Sequence, residues 1–287
     1  MSAGKNINAT SRGEGHLAAG RVRALVITGF GLNCERETHC ALTEAGATTE
    51  NVHLNDILDG NRSLDEFHIL AFIGGFSFGD HIGAGTVFAN RIKYRMREQL
   101  QKFVEAGRLI IGICNGFQTM TRLGLVPAVG GTFLEQQVAL AQNKQGVFRD
   151  SWSLLRANPA SPCIYTRGID VIPLPIRHGE GRFVARDADM LAQLEKDNLV
   201  ALRYVDPEST EPTMEFPHNP NGSVNSIAGI CDPSGRIFGL MPHPEAYLSP
   251  FNHPHWTRQK LNGVLPDEGL GLKIFRNAVE FAAATLL

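Results

Sequence analysis

The sequence predicts an α/β fold in which a mostly parallel β-sheet carries helices, with an additional antiparallel β section. The parallel part is predicted by short, nearly unbroken apolar runs that are each followed by a loop and a helical pattern. Strands that are covered on both faces of a parallel sheet have this composition. The antiparallel part is predicted by residues 131–184, where short β-like runs alternate with turn signals.

The individual elements support this fold class when they are taken in order. In the first helix we expect Asn33 to be the N-cap and Gly46 to end the helix. The strands are expected at Arg23–Thr28, Thr48–Leu54, His68–Ile73, Leu109–Ile113 and Leu199–Val205, and in a hairpin over Ser226–Met241. Further helices are expected at Thr86–Ala106, from Cys114 to Gly124, at Ala188–Asn198 and from Glu268 onward.

Length and composition are those of an ordinary globular protein. Residues 1–20 are rich in Gly, Ala, Ser and Asn and show no period, so we expect a flexible tail there. Because no linker or repeat divides the remaining chain, we expect one domain at residues 21–287. The formal net charge of -2 gives no reason to expect a nucleic-acid partner. The five cysteines form no C-x-x-C pair, which favours a reducing compartment. With no apolar stretch of membrane-spanning length and no secretory signal, we expect no membrane partner and a cytoplasmic location.

Two glycine-rich segments invite a nucleotide-binding interpretation, which their details do not support. Gly29 and Gly31 follow the first strand, but Cys34 stands where a dinucleotide fingerprint needs its third glycine. The segment GGFSFGDHIGAG, which begins at Gly74, lacks the G-K-[ST] ending of a phosphate-binding loop. Because it follows a strand, we expect it instead to present backbone N–H groups at the carboxyl edge of the sheet.

A strand, a tight turn and a helix meet at Cys114. Gly112 and Gly116 flank this cysteine in the G-x-C-x-G spacing of a nucleophile elbow, where a Cβ at either flanking position would clash. The helix N-terminus that follows favours a thiolate. A buried core cysteine is the alternative, but the two glycines favour a nucleophile.

A cysteine nucleophile needs a base, and His243 is the best candidate among ten histidines. It follows an apolar strand in the segment M-P-H-P-E, and the carboxyl ends of parallel strands meet at one edge of a sheet. Glu245 lies two residues later, so in an extended segment its carboxylate would face the same way and accept the imidazole N–H. The alternative is a surface turn with an incidental His and Glu.

The segments GGFSFGD, GICNGFQ, HGEGRF, NPNGS and MPHPE occur in collinear order. In this combination the chain resembles the class I, or triad, glutamine amidotransferases, and within them the glutaminase subunits of phosphoribosylformylglycinamidine synthase. The resemblance runs from about Arg21 to the C-terminus and implies a three-layer, flavodoxin-like fold. The chain departs from the family pattern at Ala246, where arginine is usual, and mildly at Phe78, where tyrosine is common.

The resemblance implies a role for six residues. They are Cys114 as nucleophile, His243 as general acid/base, Glu245 as its orienting carboxylate, the N–H groups of Gly75 and Asn115 as the oxyanion hole, and Gln118 as a contact to bound glutamine.

The implied reaction is hydrolysis of L-glutamine to glutamate through a thioester. The released ammonia is expected to reach a separate, large ATP-dependent synthetase that makes formylglycinamidine ribonucleotide from formylglycinamide ribonucleotide in purine biosynthesis. A small accessory subunit bridges the two chains in related systems. We expect no metal or organic cofactor on this chain, and ATP and Mg on the synthetase.

Other interpretations differ in the partner or in the chemistry. The chain could serve a synthase for guanylate, carbamoyl phosphate or imidazoleglycerol phosphate, act as a cysteine peptidase or hydrolase, or be a non-catalytic scaffold.

For His178 in HGEGRF we favour a structural or partner-facing role over a second base. The basic residues 91–97 indicate a solvated face more than a partner contact. Residues 253–256, with two histidines and a tryptophan, indicate an inserted loop more than a metal site.

Overall fold

A computed structural model describes residues 21–287 of the chain. The flexible tail expected at residues 1–20 lies outside the described residues. None of the helices in the described part is long and apolar enough to cross a bilayer.

A nine-stranded sheet forms the centre of the protein, with the strand order β2-β1-β3-β4-β11-β10-β9-β6-β7. The five strands from β2 to β11 pair in parallel, and the four from β10 to β7 continue the sheet in antiparallel pairs. A second, two-stranded antiparallel sheet consists of β5 and β8. The strands are β1 Arg23–Thr28, β2 Thr48–His53, β3 Ile69–Phe72, β4 Leu109–Ile113, β5 Val138–Ala141, β6 Arg149–Ala157, β7 Val171–His178, β8 Arg182–Ala185, β9 Val200–Tyr204, β10 Ile227–Cys231 and β11 Ile237–Leu240.

Helices cover the inner parallel strands β1, β3, β4 and β11, whose residues are almost all buried, whereas the edge strand β2 has one buried residue, Val52. In β4 every residue is buried, as the apolar run predicts. Helix α1 (Glu35–Glu44) packs with α8 (Leu272–Thr285), and α3 (Thr86–Arg95) packs with α5 (Asn115–Leu123). The predicted α/β class, with a parallel sheet that carries helices and an additional antiparallel section, is confirmed. The helices are α1 Glu35–Glu44, α2 Leu54–Leu58, α3 Thr86–Arg95, α4 Arg97–Glu105, α5 Asn115–Leu123, α6 Ala188–Lys196, α7 Trp256–Leu261 and α8 Leu272–Thr285.

Two helix predictions are wrong in detail. The single helix expected over Thr86–Ala106 is broken at Met96, which has φ -128° and ψ 7°. Met96 is nevertheless buried, so the apolar face continues across the break although the backbone does not. The N-cap of α1 is Cys34 rather than Asn33, and its side chain caps no backbone N–H.

The C-terminal helix α8 is held in place by a buried polar side chain. Asn277 donates from Nδ2 to the carbonyl oxygens of Tyr165 and Arg167, each at 2.8 Å. Tyr165 lies in the short helical turn Ile164–Thr166 between β6 and β7, and Arg167 directly follows this turn. The single amide therefore joins the last helix to the antiparallel half of the sheet.

We expect Asn277→Ala to lower the free energy of unfolding by about 2 kcal/mol, because two carbonyl groups lose their donor in a buried place. Urea denaturation followed by circular dichroism measures the change. The control is Asn262→Ala, at the exposed end of α7, for which we expect a change within about 0.5 kcal/mol. Equal stabilities of the two variants would contradict the assigned role of Asn277.

Candidate active site

Cys114 lies on a strained turn between β4 and α5. Its φ of 52° lies in a region of backbone conformation that residues other than glycine rarely adopt. A Cβ at Gly112 would lie 2.2 Å from Met120 Sδ, and one at Gly116 would lie 2.0 Å from the carbonyl oxygen of Phe72. The two flanking glycines therefore allow the close approach that the sequence spacing predicts for a nucleophile elbow.

Strand pairing brings His243 to the same edge of the sheet. Strand β11 is parallel to β4, with Leu240 in register with Ile113, so the chain leaves both strands at one edge. The Cys114 N–H donates to the Leu240 carbonyl at 2.9 Å. The His243 N–H donates to the carbonyl of Pro175 in β7 at 2.8 Å. The positions of both side chains are thus set by the backbone of the central sheet.

His243 and Glu245 form a buried pair next to Cys114. The imidazole Nδ1 donates to Glu245 Oε1 at 2.5 Å, since a carboxylate only accepts. Both side chains are at most 3% exposed. The expected contact is present, but Pro244–Ala246 is a 3-10 turn and not the extended segment that the sequence suggested. The carboxylate fixes the tautomer and leaves Nε2 of His243 without a hydrogen-bond partner among the described residues.

The surroundings of His243 favour its protonated form. Burial alone would lower the pKa of the imidazole, but the carboxylate of Glu245 and the sulfur of Cys114 raise that pKa well above its ordinary value. A protonated imidazole is a proton donor, and the sulfur of Cys114 lies in the same cavity. The arrangement can therefore supply both a nucleophile and a proton donor.

Two backbone N–H groups are available near the sulfur. Asn115 is the first residue of α5, where a helix has N–H groups without intrahelical acceptors. Gly75 lines the same cavity as Cys114 and has φ 140°. A Cβ at Gly75 would lie 2.6 Å from Cα of Leu32, so only glycine fits. The oxyanion-hole role of both N–H groups stays a prediction.

The side chain of Asn115 ties the glycine-rich loop to the elbow helix. Its Oδ1 accepts from the Ser77 N–H at 3.3 Å, and its Nδ2 donates to Asp80 Oδ1 at 3.2 Å and to Gln118 Oε1 at 3.0 Å. Gln118 in turn donates from Nε2 to the carbonyl of Glu180 at 2.6 Å. Its amide is thus engaged within the protein, and its contact with bound glutamine stays a prediction.

The HGEGRF segment forms the turn between β7 and β8 beside this site. His178 is only 2% exposed, and its Nδ1 lies 3.1 Å from Asn143 Oδ1. A Cβ at Gly181 would lie 2.2 Å from the His178 ring, so the glycine makes room for the imidazole. Burial, together with nearby His243, lowers the pKa of His178 to about 3. A buried, neutral ring favours the structural role over the second base.

A cavity of about 110 Å³ opens at the sulfur, and five of its eight lining residues were missed as site residues in the sequence. Two of these five lie close to the proposed catalytic side chains. One is Cys34: a Cβ at Gly74 would lie 2.9 Å from both Cys34 Sγ and Cε1 of His243. The other is Arg177, whose carbonyl oxygen lies 3.6 Å from Cys114 Sγ. The signal available for Cys34 was its position directly after the loop of the first strand. The lining residues are Asn33, Cys34, Gly75, Phe76, Cys114, Phe148, Arg177 and His243.

Comparison with known proteins shows the family of this chain. The family described as the CobB/CobQ-like glutamine amidotransferase domain matches residues 21–282. The subunit PurQ of phosphoribosylformylglycinamidine synthase from Methanococcus maripaludis is 42% identical over 265 residues, which are 90% of this chain and 97% of that one. The corresponding subunit from Dehalococcoides mccartyi is 41% identical over 262 residues, with 91% and 98% covered. The chain belongs to the PurQ family of glutamine amidotransferases. The predicted family is confirmed.

Solved structures show the same fold. A chain in the structure of PurLQS from Thermotoga maritima is 30% identical, with a TM-score of 0.66 and with 91% of this chain and 99% of that chain covered. A glutamine amidotransferase from the same organism, at 14% identity and a TM-score of 0.51, shares the fold alone, with 92% and 99% covered.

One group of metal-type ligands in this PurQ family member coincides with the active-site candidates. In residues 21–287, ligand atoms of Cys34, His243 and Glu245 lie within 4.8 Å of one another. These are donor types that zinc accepts. Because His243 and Glu245 already bond to each other, the arrangement is that of a hydrogen-bonded pair, and we assign no metal to it.

Two other regions that the sequence left open make internal contacts. The ring of His253 lies 4.8 Å from that of Trp152 and 5.8 Å from that of Tyr247, which is an aromatic packing arrangement. In the basic cluster, the guanidinium of Arg91 lies 5.5 Å from the ring centre of Phe30. These contacts stabilise the fold and make the cluster less uniformly solvated than the sequence indicated.

We expect Gly116→Ala to lower the free energy of unfolding by about 3 kcal/mol, because the added methyl group meets backbone atoms that cannot move independently. Chemical denaturation of the purified chain measures the change. The matched control is Gly179→Ala, whose Cβ would meet only the Phe148 ring at 3.8 Å. If both alanines cost the same, the steric explanation of the elbow is wrong.

The neutral state of His178 predicts a pH dependence of stability. Its pKa is about 3 in the folded chain and about 6.5 when unfolded, so the unfolded chain binds more protons between these values. The stability that this residue contributes is complete above pH 6.5 and is lost as the pH falls. Between pH 7.5 and pH 5.0 we expect wild type to lose about 2 kcal/mol more unfolding free energy than His178→Gln.

Urea titrations of both proteins at the two pH values test this prediction. For each protein the readout is the difference between its unfolding free energies at the two pH values. A loss of stability that the substitution causes equally at both pH values cancels in this difference. Identical losses in the two proteins would show that His178 does not titrate in this way.

Proposed function

We propose that this chain is the glutaminase subunit of phosphoribosylformylglycinamidine synthase and that it hydrolyses L-glutamine through Cys114, His243 and Glu245. Membership of the PurQ family supports the subunit assignment. The observation that carries the catalytic assignment is the buried His243–Glu245 hydrogen bond beside a cysteine on a strained elbow. Nucleophile, base and orienting acceptor are the three parts that acyl transfer by cysteine requires.

In this mechanism the Cys114 thiolate attacks the carbon of the glutamine side-chain amide. The N–H groups of Gly75 and Asn115 stabilise the tetrahedral oxyanion, while His243 gives its proton to the leaving ammonia. The carboxylate of Glu245 holds the imidazole in position throughout. Water activated by His243 then hydrolyses the thioester, which releases glutamate and restores the thiol.

Ammonia must not escape into water, where at neutral pH it becomes ammonium and loses its nucleophilicity. We therefore propose that a large ATP-dependent synthetase, carrying ATP and Mg, covers the cavity, with a small accessory subunit in the same assembly. Two half-exposed rings that line the cavity, Phe76 and Phe148, support docking at this place. Their centres are 6.2 Å apart, and such exposed aromatic residues are frequent in protein interfaces.

The proposed chemistry requires no metal or organic cofactor on this chain, since thiol, imidazole and carboxylate supply all proton and acyl transfers. All five cysteines have free thiols, which supports a reducing compartment such as the cytoplasm.

We expect Cys114→Ala to lower glutamine-dependent synthesis by about 10³-fold or more, because no acyl acceptor remains. Ammonia-dependent synthesis by the complex of the variant with its synthetase should continue at the wild-type rate. Both rates are measured as formation of formylglycinamidine ribonucleotide.

Cys40→Ala is the matched control, since Cys40 lies in α1 and does not line the cavity. It should leave both rates unchanged. Loss of the ammonia-dependent rate in Cys114→Ala, with the complex still assembled, would contradict the division of labour between the two chains.

A further inference from the structure

Arg177 lies in the active-site cavity with part of its charge unpaired. The side chain is half-buried, and its Nε and Nη2 have almost no exposed surface and no hydrogen-bond partner among residues 21–287. Arg156, by contrast, pairs with Glu211 at 2.7 Å. Arg149 and Arg182 each have one unpartnered buried nitrogen, Nε, but neither lines the cavity, whereas Arg177 lines it and has two. A buried donor without an acceptor costs stability, and more so when it is charged. These donors are therefore available to an anionic group of a bound molecule.

The position of Arg177 is fixed by the same backbone that positions the proposed triad. Its carbonyl oxygen is the atom 3.6 Å from Cys114 Sγ, and two residues earlier the carbonyl of Pro175 accepts the N–H of His243. Asp150 is opposite Arg177 in the β6–β7 ladder, yet Nε and Nη2 of Arg177 have no hydrogen bond to it. The strand pairing fixes the backbone of Arg177 relative to the nucleophile, which places its side chain at the cavity.

We propose that Arg177 binds the α-carboxylate of the substrate and so makes the site selective for free L-glutamine. This inference rests on the proposed glutaminase function. Glutamine carries its carboxylate a short distance from the amide that reacts, so its anion binder must lie close to the nucleophile. The planar guanidinium, with several N–H donors, matches a carboxylate better than any other side chain does. Peptide-linked glutamine lacks this charge and would leave Arg177 unpaired.

The test compares two substrates in the assembled synthase, with glutamate or glutamate α-amide release as the readout. The substrates are L-glutamine and its α-carboxamide, which has the same reactive amide and no α-carboxylate. We expect wild type to prefer L-glutamine by about ten- to hundredfold in kcat/KM, the range of a hydrogen bond to a charged group. A wild-type preference below about threefold would overturn the inference, and this comparison needs no variant.

The variants assign the preference to the residue. Arg177→Gln should lower kcat/KM for L-glutamine by about ten- to hundredfold, mainly through KM, and leave kcat/KM for the carboxamide within about threefold. Arg177→Lys, which keeps the charge, should recover part of the loss. An equal loss for both substrates would mean a structural role and would overturn the inference.

Arg149→Gln is the matched control. Arg149 lies in the neighbouring strand, and its guanidinium is 4.9 Å from the ring centre of Phe216 rather than in the cavity. It should leave the substrate preference unchanged. If wild type released no glutamate from L-glutamine in the assembled synthase, the proposed function would fail, whereas active wild type with an unaltered preference in Arg177→Gln would overturn this inference alone.

Discussion

The site depends on the parallel pairing of β4 with β11. These strands are separated by more than a hundred residues of chain, and their pairing places the residues after Ile113 and Leu240 at one edge of the sheet. Without it, Cys114 and His243 would have no reason to meet. The hydrogen bond from the Cys114 N–H to the Leu240 carbonyl closes the ladder at the turn itself. The reactive geometry is thus an extension of the sheet rather than a property of flexible loops.

A rigid sheet edge also explains how the protein tolerates the unfavourable features of the site. The φ of 52° at Cys114 and the burial of the His243–Glu245 pair both cost free energy, and such features persist only when the surrounding structure over-determines them. The supporting contacts are close-packed backbone at Gly112 and Gly116 and the amide network around Asn115. The core stabilises a local arrangement that would not form alone.

The sequence predicted the features that depend on local spacing. The elbow was readable because two glycines at fixed offsets report a steric constraint, and the β10–β11 hairpin was readable from its turn. The position of Arg177 in the cavity and the closeness of Cys34 to His243 could not be predicted, because they depend on which strands become neighbours. The break at Met96 was missed because the apolar period continues through it. Side-chain contacts between distant segments require tertiary structure, whereas turns and strand patterns do not.

In the antiparallel half of the sheet, side-chain hydrogen bonds hold the turn that lies beside the site. Asn221 donates to the Gly181 carbonyl at 2.9 Å, and Ser223 Oγ accepts from the Phe183 N–H at 2.9 Å, so the NPNGS loop holds the turn that contains His178. The donors and acceptors in that loop are largely satisfied. At the cavity the opposite holds, since Nε2 of His243 and Nε of Arg177 have no partner within the described chain. The proposed glutamine substrate would give both atoms a hydrogen-bond partner, its α-carboxylate for Arg177 and its side-chain amide for His243.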